Sequence, residues 1–185
     1  GEKVTEGLDG LRERLKAYAL LGARFAKWRA VFSIDVDAIQ TRVIGRVTPS
    51  RACIQANAHA LARYAALCQE AGLVPIVEPE VMMNGSHTLQ QCAQVTEVVL
   101  QAVFQHLNEQ GVLLEGLLLK PNMVLPGLCC PIQESVEIVA DMTVHCLLRT
   151  VPAAVPGIAF LSGGQTPSLA SARLNAMNSR YKFRL

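Results

Sequence analysis

Short apolar runs and helix-period stripes alternate along this chain. The apolar runs are rich in branched and aromatic side chains, which is typical of strands buried on both faces. Four of them are strand candidates: Ala26–Ile34, Leu73–Val81, Gly116–Val124 and Gly157–Leu161. Between them, apolar residues recur at helical spacing, most clearly over 56–68 and 92–107. The pattern therefore predicts strands and helices in strict alternation.

Proline and glycine mark where these helices begin and end. Thr48–Ser50 and Thr166–Ser168 each hold a proline between hydroxyl residues, which predicts a proline in the first turn of a helix. Gly72 and Gly111 each follow a helical stripe, where a left-handed cap residue is wanted. Strands that alternate with helices in this way indicate an α/β fold with a parallel sheet.

Polar residues recur at the predicted strand ends. The separation from Glu78 to Lys120 is 42 residues, as is that from Lys120 to Ser162, and the separation from Lys27 to Glu78 is 51. Each βα unit thus brings a polar group to one rim, which is where (β/α)8 TIM barrels build active sites. We predict a fold of this TIM-barrel type, with about four βα units present. An open doubly wound sheet is the alternative, although it does not usually gather groups from four successive strands.

Composition narrows the class of protein. The chain has 185 residues, of which 51% are apolar and 17% charged, and its net charge is +2. That is enough chain for one domain with a core, and it is unlike a disordered or nucleic-acid-binding protein. It contains no run of about 18 apolar residues, and its polar N-terminus does not resemble a signal peptide. We expect one cytoplasmic domain over residues 1–185, with neither membrane nor nucleic acid as a partner.

Cysteine and histidine do not indicate a metal site. The six cysteines lack the spacing of zinc ligands and fall mostly on helical stripes, so we expect reduced thiols in a core. Cys129 and Cys130 are expected in a loop. The histidines are scattered, three within helical patterns and His87 in a polar loop. No metal ligand and no cofactor is predicted.

Lys120 is the leading candidate for chemistry. It ends the leucine-rich run Gly116–Lys120 and is followed by proline. A lysine at the end of a buried strand loses water, and desolvation favours the neutral amine, the nucleophile that forms a Schiff base with a carbonyl. The alternative is an ordinary strand-end lysine paired with a carboxylate.

Two pairs of charged residues lie at a spacing of two, so that each pair shares one face of a strand. Lys27 and Arg29 form a cationic pair, which suits a phosphate ligand. Glu78 and Glu80 form an acidic pair, which suits the proton transfers of imine chemistry. The alternatives are solvated charge for the first pair and counter-ions for the second. The counter-ion and catalytic roles are compatible.

A glycine-rich turn follows the fourth predicted strand. Ser162 and Gly163 open a Ser-Gly-Gly-Gln segment directly before a predicted helix. The backbone N–H groups of such a turn can bind a phosphate, and barrels often place phosphate after their seventh strand. The alternative is a tight turn with no ligand.

Taken together, these segments strongly resemble class I (Schiff-base) fructose-1,6-bisphosphate aldolase. The segments that carry the resemblance are, in order, Gly7–Leu11, Ala26–Arg29, Asn57–Tyr64, Val74–Glu80, Leu118–Val124 and Phe160–Gln165. The resemblance implies a (β/α)8 barrel, usually a cytosolic homotetramer, that works without a metal. The implied reaction is reversible cleavage of fructose 1,6-bisphosphate to dihydroxyacetone phosphate and glyceraldehyde 3-phosphate, so the expected partner is a phosphorylated sugar.

The resemblance also implies roles for seven residues. Lys120 resembles the Schiff-base lysine, and Glu78 the residue that handles protons while the carbinolamine forms and dehydrates. Glu80 resembles its partner carboxylate, and Lys27 a lysine that assists electrostatically. The implied phosphate ligands are Arg29, for the far phosphate of the sugar, with Ser162 and Gly163 for the near one.

Two departures from the family follow from the sequence. Only four strands are visible, so the chain is expected to run from just before the fourth barrel strand to just after the seventh. The early-strand acid and the late-strand phosphate arginine of the family have no counterpart. The ten residues Asp35–Ile44 look like an insertion in a rim loop, since deleting them restores the family's usual length. Two alternative functions remain: a non-catalytic aldolase-like interaction module, and another Schiff-base lyase of the barrel type.

Overall fold

Helices and strands alternate over the part of the chain that the computed structural model describes, residues 1–36 and 48–181. The strands are β1 (Phe25–Phe32), β2 (Val74–Val81) and β3 (Leu118–Leu119). A single 3-10 turn, Leu114–Gly116, precedes β3. The helices are α1 (Leu11–Leu20), α2 (Arg51–Glu70), α3 (Leu89–Glu109), α4 (Val136–Thr150) and α5 (Pro167–Arg180). The prediction of an α/β fold is confirmed.

The strands form one parallel sheet in the order β1-β2-β3. The prediction of four strands is wrong within the described residues, because β3 is only two residues long and the predicted strand Gly157–Leu161 contributes a single bridge, from Ile158 to Leu119. Pro121 explains why pairing with the segment Gly157–Leu161 does not continue past Leu119, since alternate N–H groups face that segment and proline has none. Asn122 takes over from the backbone here, because its side-chain oxygen accepts from the N–H of Val81 at 2.9 Å.

Hydroxyl residues cap the beginning of α2 to α5, and glycines follow the ends of α2 and α3. Ser50 and Thr166 are N-caps that accept hydrogen bonds from the third residue of α2 and α5. Pro167 is the first residue of α5, as predicted, but Pro49 lies outside α2 because Ser50 itself is the cap. The left-handed glycines that the sequence predicts after α2 and α3 are present, with φ of 73° at Gly72 and 66° at Gly111.

The core lies between the sheet and the helices. One face of β1 buries Trp28, Ala30 and Phe32 against this layer. Tyr64 of α2 stacks on the Trp28 ring at 5.4 Å between centroids, and its hydroxyl donates to the carbonyl of Ala26 at 2.6 Å. Burying each large apolar side chain contributes roughly 1.5–3 kcal/mol. The opposite face of β1 and β2 is therefore left for polar side chains.

Part of the predicted insertion lies outside the described residues, namely positions 37–44. All six cysteines are described and are free thiols, and Cys129 is exposed whereas the others are buried. In the parts of the chain covered by the structure, no helix is long and apolar enough to cross a membrane.

Candidate active site

Four charged side chains share the inner face of the two long strands. The register pairs Arg29 with Glu78 directly across the β1–β2 ladder, and Lys27 and Glu80 lie two residues away on the same face. The prediction that Lys27 and Glu78 stand at strand ends is wrong, because both lie within their strands, whereas Lys120 directly follows β3. The strands can continue past them because the alternate residues face the core, so the charges do not interrupt the ladder.

Glu78 is shared by two ammonium groups. Lys27 Nζ lies 3.1 Å from Glu78 Oε2, and Lys120 Nζ lies 3.0 Å from Glu78 Oε1. The Glu78 side chain is only 4% exposed, whereas Lys27 and Lys120 are 45% and 30% exposed. Lys120 donates a hydrogen bond to Glu78, whereas Lys27 is close enough for an ion pair but makes no hydrogen bond to it. The lysines reach it from β1 and from the end of β3, which lie on opposite sides of β2.

A second ion pair lies beside the first. The Arg29 guanidinium contacts Glu80 with its Nε and Nη2 atoms, and Glu80 is buried. The hydrogen bond to Glu80 raises the pKa of Arg29 above its ordinary value. Arg29 Nη2 also lies 3.8 Å from the sulfur of Met82. Arg29 remains nearly half exposed, so its outer side is accessible to a ligand.

Lys120 is fixed by the backbone on both sides. Its own N–H donates to the carbonyl of Val77 at 2.8 Å, which continues the pairing with β2. Two residues later, Asn122 is buried and its amide donates to the Met123 carbonyl and to Thr96 Oγ1, at 3.0 and 3.2 Å. Lys120 is thus held between its backbone hydrogen bond to β2 and the buried side chain of Asn122, whose amide is hydrogen-bonded. The sequence shows the signal for Asn122, a polar residue directly after Lys-Pro, but its anchoring role was not predicted.

The predicted phosphate turn and the charged strands line the same cavity. Gly163 and Gly164 both adopt left-handed conformations, with φ of 58° and 84°. No hydrogen-bond acceptor within the described chain takes the N–H of either glycine. Successive free N–H groups in such a turn are suited to an anion. A side chain at position 163 would meet Met83 at 3.0 Å, so glycine is needed there.

These groups surround one open cavity of about 450 Å³. The charged residues of its lining are Lys27, Arg29, Glu78 and Glu80. Lys120 is not part of the lining, but its ammonium contacts Glu78. The other residues of the lining are Met82, Met83, Asn84, Leu128 and Leu161–Gly164. Sequence reasoning missed Met82, Met83, Asn84 and Leu128, because loop residues carry no periodic signal.

Backbone hydrogen bonds join the two loops at the cavity mouth. The N–H groups of Leu128 and Cys129 donate to the carbonyls of Met83 and Gly85, at 2.8 and 2.9 Å. His87, expected in a polar loop, is instead completely buried beneath this junction. Burial lowers the pKa of its imidazole below the ordinary value.

The charges of the cavity lining balance, because two cations, Lys27 and Arg29, meet two carboxylates, Glu78 and Glu80. Lys120, which contacts Glu78, brings the net charge of the whole cluster to +1. A larger groove of about 650 Å³ lies between α4 and α5, but its lining holds no ionisable side chain. Across residues 1–36 and 48–181, no three His, Cys, Asp or Glu side chains are grouped to hold a metal ion. The ionisable side chains of the charged cavity, two lysines, an arginine and two glutamates, can supply amine and carboxylate chemistry.

Comparison with known proteins gives one consistent result. The sequence profile of the family "Fructose-bisphosphate aldolase class-I" matches residues 1–184. A probable fructose-bisphosphate aldolase class 1 of Xanthomonas campestris is 59% identical over 178 residues, which are 96% of this chain and 50% of the relative. The cytosolic fructose-bisphosphate aldolase 5 of Arabidopsis thaliana is 56% identical over 96% of this chain and 47% of its own length.

A solved structure extends the similarity to the fold. The fructose-bisphosphate aldolase of Plasmodium falciparum, crystallised with TRAP and a small-molecule inhibitor, superposes with a TM-score of 0.90 at 51% identity. The match covers 97% of this chain and 49% of that one. This chain therefore spans about half the length of the relatives that it matches.

Proposed function

This chain belongs to the class I fructose-bisphosphate aldolase family, and on that premise we propose that it performs the family's Schiff-base chemistry. The reaction is reversible cleavage of fructose 1,6-bisphosphate to dihydroxyacetone phosphate and glyceraldehyde 3-phosphate. One observation carries the proposal: the buried carboxylate of Glu78 lies within 3.1 Å of the ammonium groups of both Lys120 and Lys27. A lysine that can pass its proton to a buried neighbour is equipped to become a nucleophile.

The first step is formation of the imine. Glu78 takes a proton from the Lys120 ammonium, which frees the amine to attack the C2 carbonyl carbon of the sugar. The resulting carbinolamine loses its hydroxyl as water when Glu78 returns the proton, and an iminium remains on Lys120. Lys27 keeps its charge beside Glu78 and favours the ionised carboxylate between turnovers.

The second step is cleavage of the C3–C4 bond. The iminium accepts the electron pair of that bond while the C4 hydroxyl loses its proton to a carboxylate of the Glu78–Glu80 pair. Glyceraldehyde 3-phosphate leaves, and the enamine that remains takes a proton at C3. Hydrolysis of the iminium then releases dihydroxyacetone phosphate and regenerates Lys120.

Two phosphate positions are proposed, one at a cationic side chain and one at the glycine turn. Arg29 is proposed to contact the far phosphate, and Ser162 and Gly163 the near one. The support is that all three residues line the same cavity as Glu78. A substrate with phosphates at both ends of one sugar fits this arrangement better than a sugar with a single anionic end.

The finer architecture is also a proposal. We propose that residues 1–185 form one partial domain of a (β/α)8 barrel, with a rim-loop insertion at 35–44. The outer edge of β1 has no neighbouring strand within the described residues, and neither has the edge at Ile158. Open edges of a parallel sheet favour further strand pairing, which supports a working form with additional strands. By the family resemblance this form is a cytoplasmic homotetramer.

The direct test is borohydride trapping with dihydroxyacetone phosphate, read by intact-mass and peptide mass spectrometry. We expect one adduct, on Lys120, that is lost in Lys120→Ala and kept in Lys16→Ala, which removes an exposed lysine of α1. Folded protein that gives no adduct would reject the proposal and favour a non-catalytic interaction module. An adduct that forms equally well with dihydroxyacetone, which lacks the phosphate, would favour a different Schiff-base lyase.

A further inference from the structure

Arg173 of α5 is a buried cation without a counter-ion. Its exposure is only 4%, and none of the carboxylates in the described part of the chain lies within 4 Å of its guanidinium. Its Nε atom is buried and has no hydrogen-bond partner there. Burial lowers the pKa of Arg173 below its ordinary value, with no ion pair to offset the effect. Burial of a charge in this state is unfavourable, so its presence requires an explanation.

The contacts of Arg173 lead to the glycine turn of the cavity. Its Nη1 atom donates to Gln165 Oε1 at 2.8 Å. The Gln165 amide nitrogen donates in turn to the carbonyl of Ser162 at 2.8 Å, and the Gln165 backbone N–H reaches the same carbonyl at 3.1 Å. A chain of two side-chain hydrogen bonds thus connects the buried charge to the residue that opens the turn. The glutamine also contacts the sulfur of Met123, at 3.5 Å.

A purely structural role explains only part of this arrangement. Arg173 Nη2 lies 3.5 Å from the carbonyl of Glu134, just before α4, so the side chain does help to join α4 to α5. That contact is long, and a neutral donor could make it without the unfavourable burial of a charge. The feature left unexplained is the positive charge itself, one glutamine away from a turn whose glycine N–H groups have no acceptor.

We propose that Arg173 is a positioning residue for phosphate: through Gln165 it fixes the Ser162–Gly164 turn, and its buried charge raises the affinity of that turn for a phosphate group. The inference rests on the proposed function only in taking phosphate as the ligand of the turn. The bound phosphate supplies the negative charge that the protein does not. Arg173 itself does not touch the substrate.

The test is an NMR titration of the ¹⁵N-labelled full chain with inorganic phosphate, monitored at the Gly163 and Gly164 amides. In the wild type we expect both signals to move and saturate. In Arg173→Met we expect the dissociation constant to rise about tenfold, the order of effect of one charge acting on a phosphate across a glutamine side chain. Arg173→Lys keeps the charge but not the fork of donors, so its affinity should fall between the two.

Two further variants separate this role from general effects. Arg180→Met removes a positive charge from the same helix, but Arg180 is exposed and paired with Asp141 at 2.7 Å, so phosphate affinity should not change. Gln165→Leu breaks the hydrogen-bonded chain from Arg173 to Ser162 at the glutamine. It should weaken phosphate binding as Arg173→Met does. Arg173→Met should still fold, because relief of an unpaired buried charge offsets the loss of the hydrogen bonds to Gln165 and Glu134.

The results that overturn the proposal are specific. If phosphate leaves the two glycine signals unmoved in the wild type, the turn is not a phosphate site. If folded Arg173→Met and Gln165→Leu bind phosphate as the wild type does, Arg173 is only a structural link.

Borohydride trapping separates this outcome from failure of the proposed function. If Lys120 gives no adduct but phosphate binding depends on Arg173, the proposed function fails and this inference stands. If Lys120 gives the adduct and Arg173→Met leaves the half-saturating concentration of dihydroxyacetone phosphate unchanged, the proposed function stands and this inference fails. Trapping of dihydroxyacetone should be unaltered in Arg173→Met, because that molecule has no phosphate.

Discussion

Replacing Glu78 by glutamine should separate chemistry from stability in this protein. The change keeps the size of the side chain and removes the charge that Lys27 and Lys120 share. Each ammonium lies about 3 Å from a carboxylate oxygen, an attraction of roughly 5 kcal/mol at an effective dielectric constant near 20. Both lysines are partly exposed, so water screens these attractions several-fold. Burial of the carboxylate costs several kcal/mol in the opposite direction.

These opposed effects nearly cancel. We therefore expect Glu78→Gln to change the free energy of unfolding by about 1 kcal/mol or less, because both lysines are partly exposed and regain water once the carboxylate is gone. Imine formation loses its proton carrier and should slow by about 10²–10⁴-fold. A large kinetic effect on a protein of unchanged stability is the signature of a residue that acts in the reaction.

The assay is rapid mixing with dihydroxyacetone phosphate, a borohydride quench at increasing times, and intact mass of the Lys120 adduct. Urea unfolding of the same samples gives their stability. Glu70→Gln is the matched control, since Glu70 forms an ion pair with Arg12 in which both side chains are about half exposed, and it should leave the rate unchanged. A rate for Glu78→Gln within fivefold of the wild type would refute the proton-transfer role. A slow rate explained by unfolded protein would refute the expectation that stability is unchanged.

Three further predictions concern the frame around the cavity. Gly127→Ala should destabilise the folded protein by about 2–4 kcal/mol, because a methyl group there would lie 2.3 Å from the carbonyl oxygen of Gly85. Urea unfolding measures this loss, and an unchanged midpoint would contradict the tight packing of the loops that hold Gly85 and Gly127. Asn122→Ala should lower the free energy of unfolding by about 2–3 kcal/mol, since it leaves the buried N–H of Val81 without its acceptor at 2.9 Å. A loss below about 0.5 kcal/mol would argue against this role of Asn122. The third prediction is a pH effect at His87, whose pKa is lowered by burial from an ordinary value of 6.5. The unfolded chain then binds the proton more readily, so the stabilisation is complete above pH 6.5 and is lost as pH falls through the folded pKa. Urea midpoints should drop less between pH 7 and pH 5 in His87→Leu than in the wild type, and equal drops would contradict the assignment.

Periodicity and spacing predicted much of the fold. The two long strands are visible in the sequence because each is long enough to show a period. Their alternate residues are apolar, as Trp28 and Phe32 are in β1. The same alternation placed Lys27 and Arg29 on one face, where the structure has them. The third strand was overestimated because the apolar run continues past Lys120 while hydrogen bonding does not. Pro121 ends the pairing with Gly157–Leu161, and a hydrophobicity pattern does not report a missing N–H.

Contacts between distant segments set the limit of sequence reasoning. Lys27 and Lys120 were singled out separately, but only the structure shows that they meet on one carboxylate. Arg173 looks in the sequence like any basic residue on the polar face of a helix, and its burial depends on how α5 packs near α4. His87 lies in a segment of polar composition and is nonetheless buried, because the loop that covers it comes from some 40 residues later in the chain.

The two faces of the sheet carry different parts of this molecule's free energy. On the helix side, residues such as Trp28, Phe32 and Tyr64 bury large apolar surfaces, each contributing roughly 1.5–3 kcal/mol. On the cavity side, ion pairs with one buried partner contribute close to nothing, because desolvation offsets attraction. Charges on that side are therefore not explained by stability, and their presence on successive strands is better explained by a ligand that needs them. Glu78 and Arg173 are comparable in this respect, because each is a buried charge whose removal should leave the fold intact. Loss of Glu78 should slow imine formation, and loss of Arg173 should weaken phosphate binding.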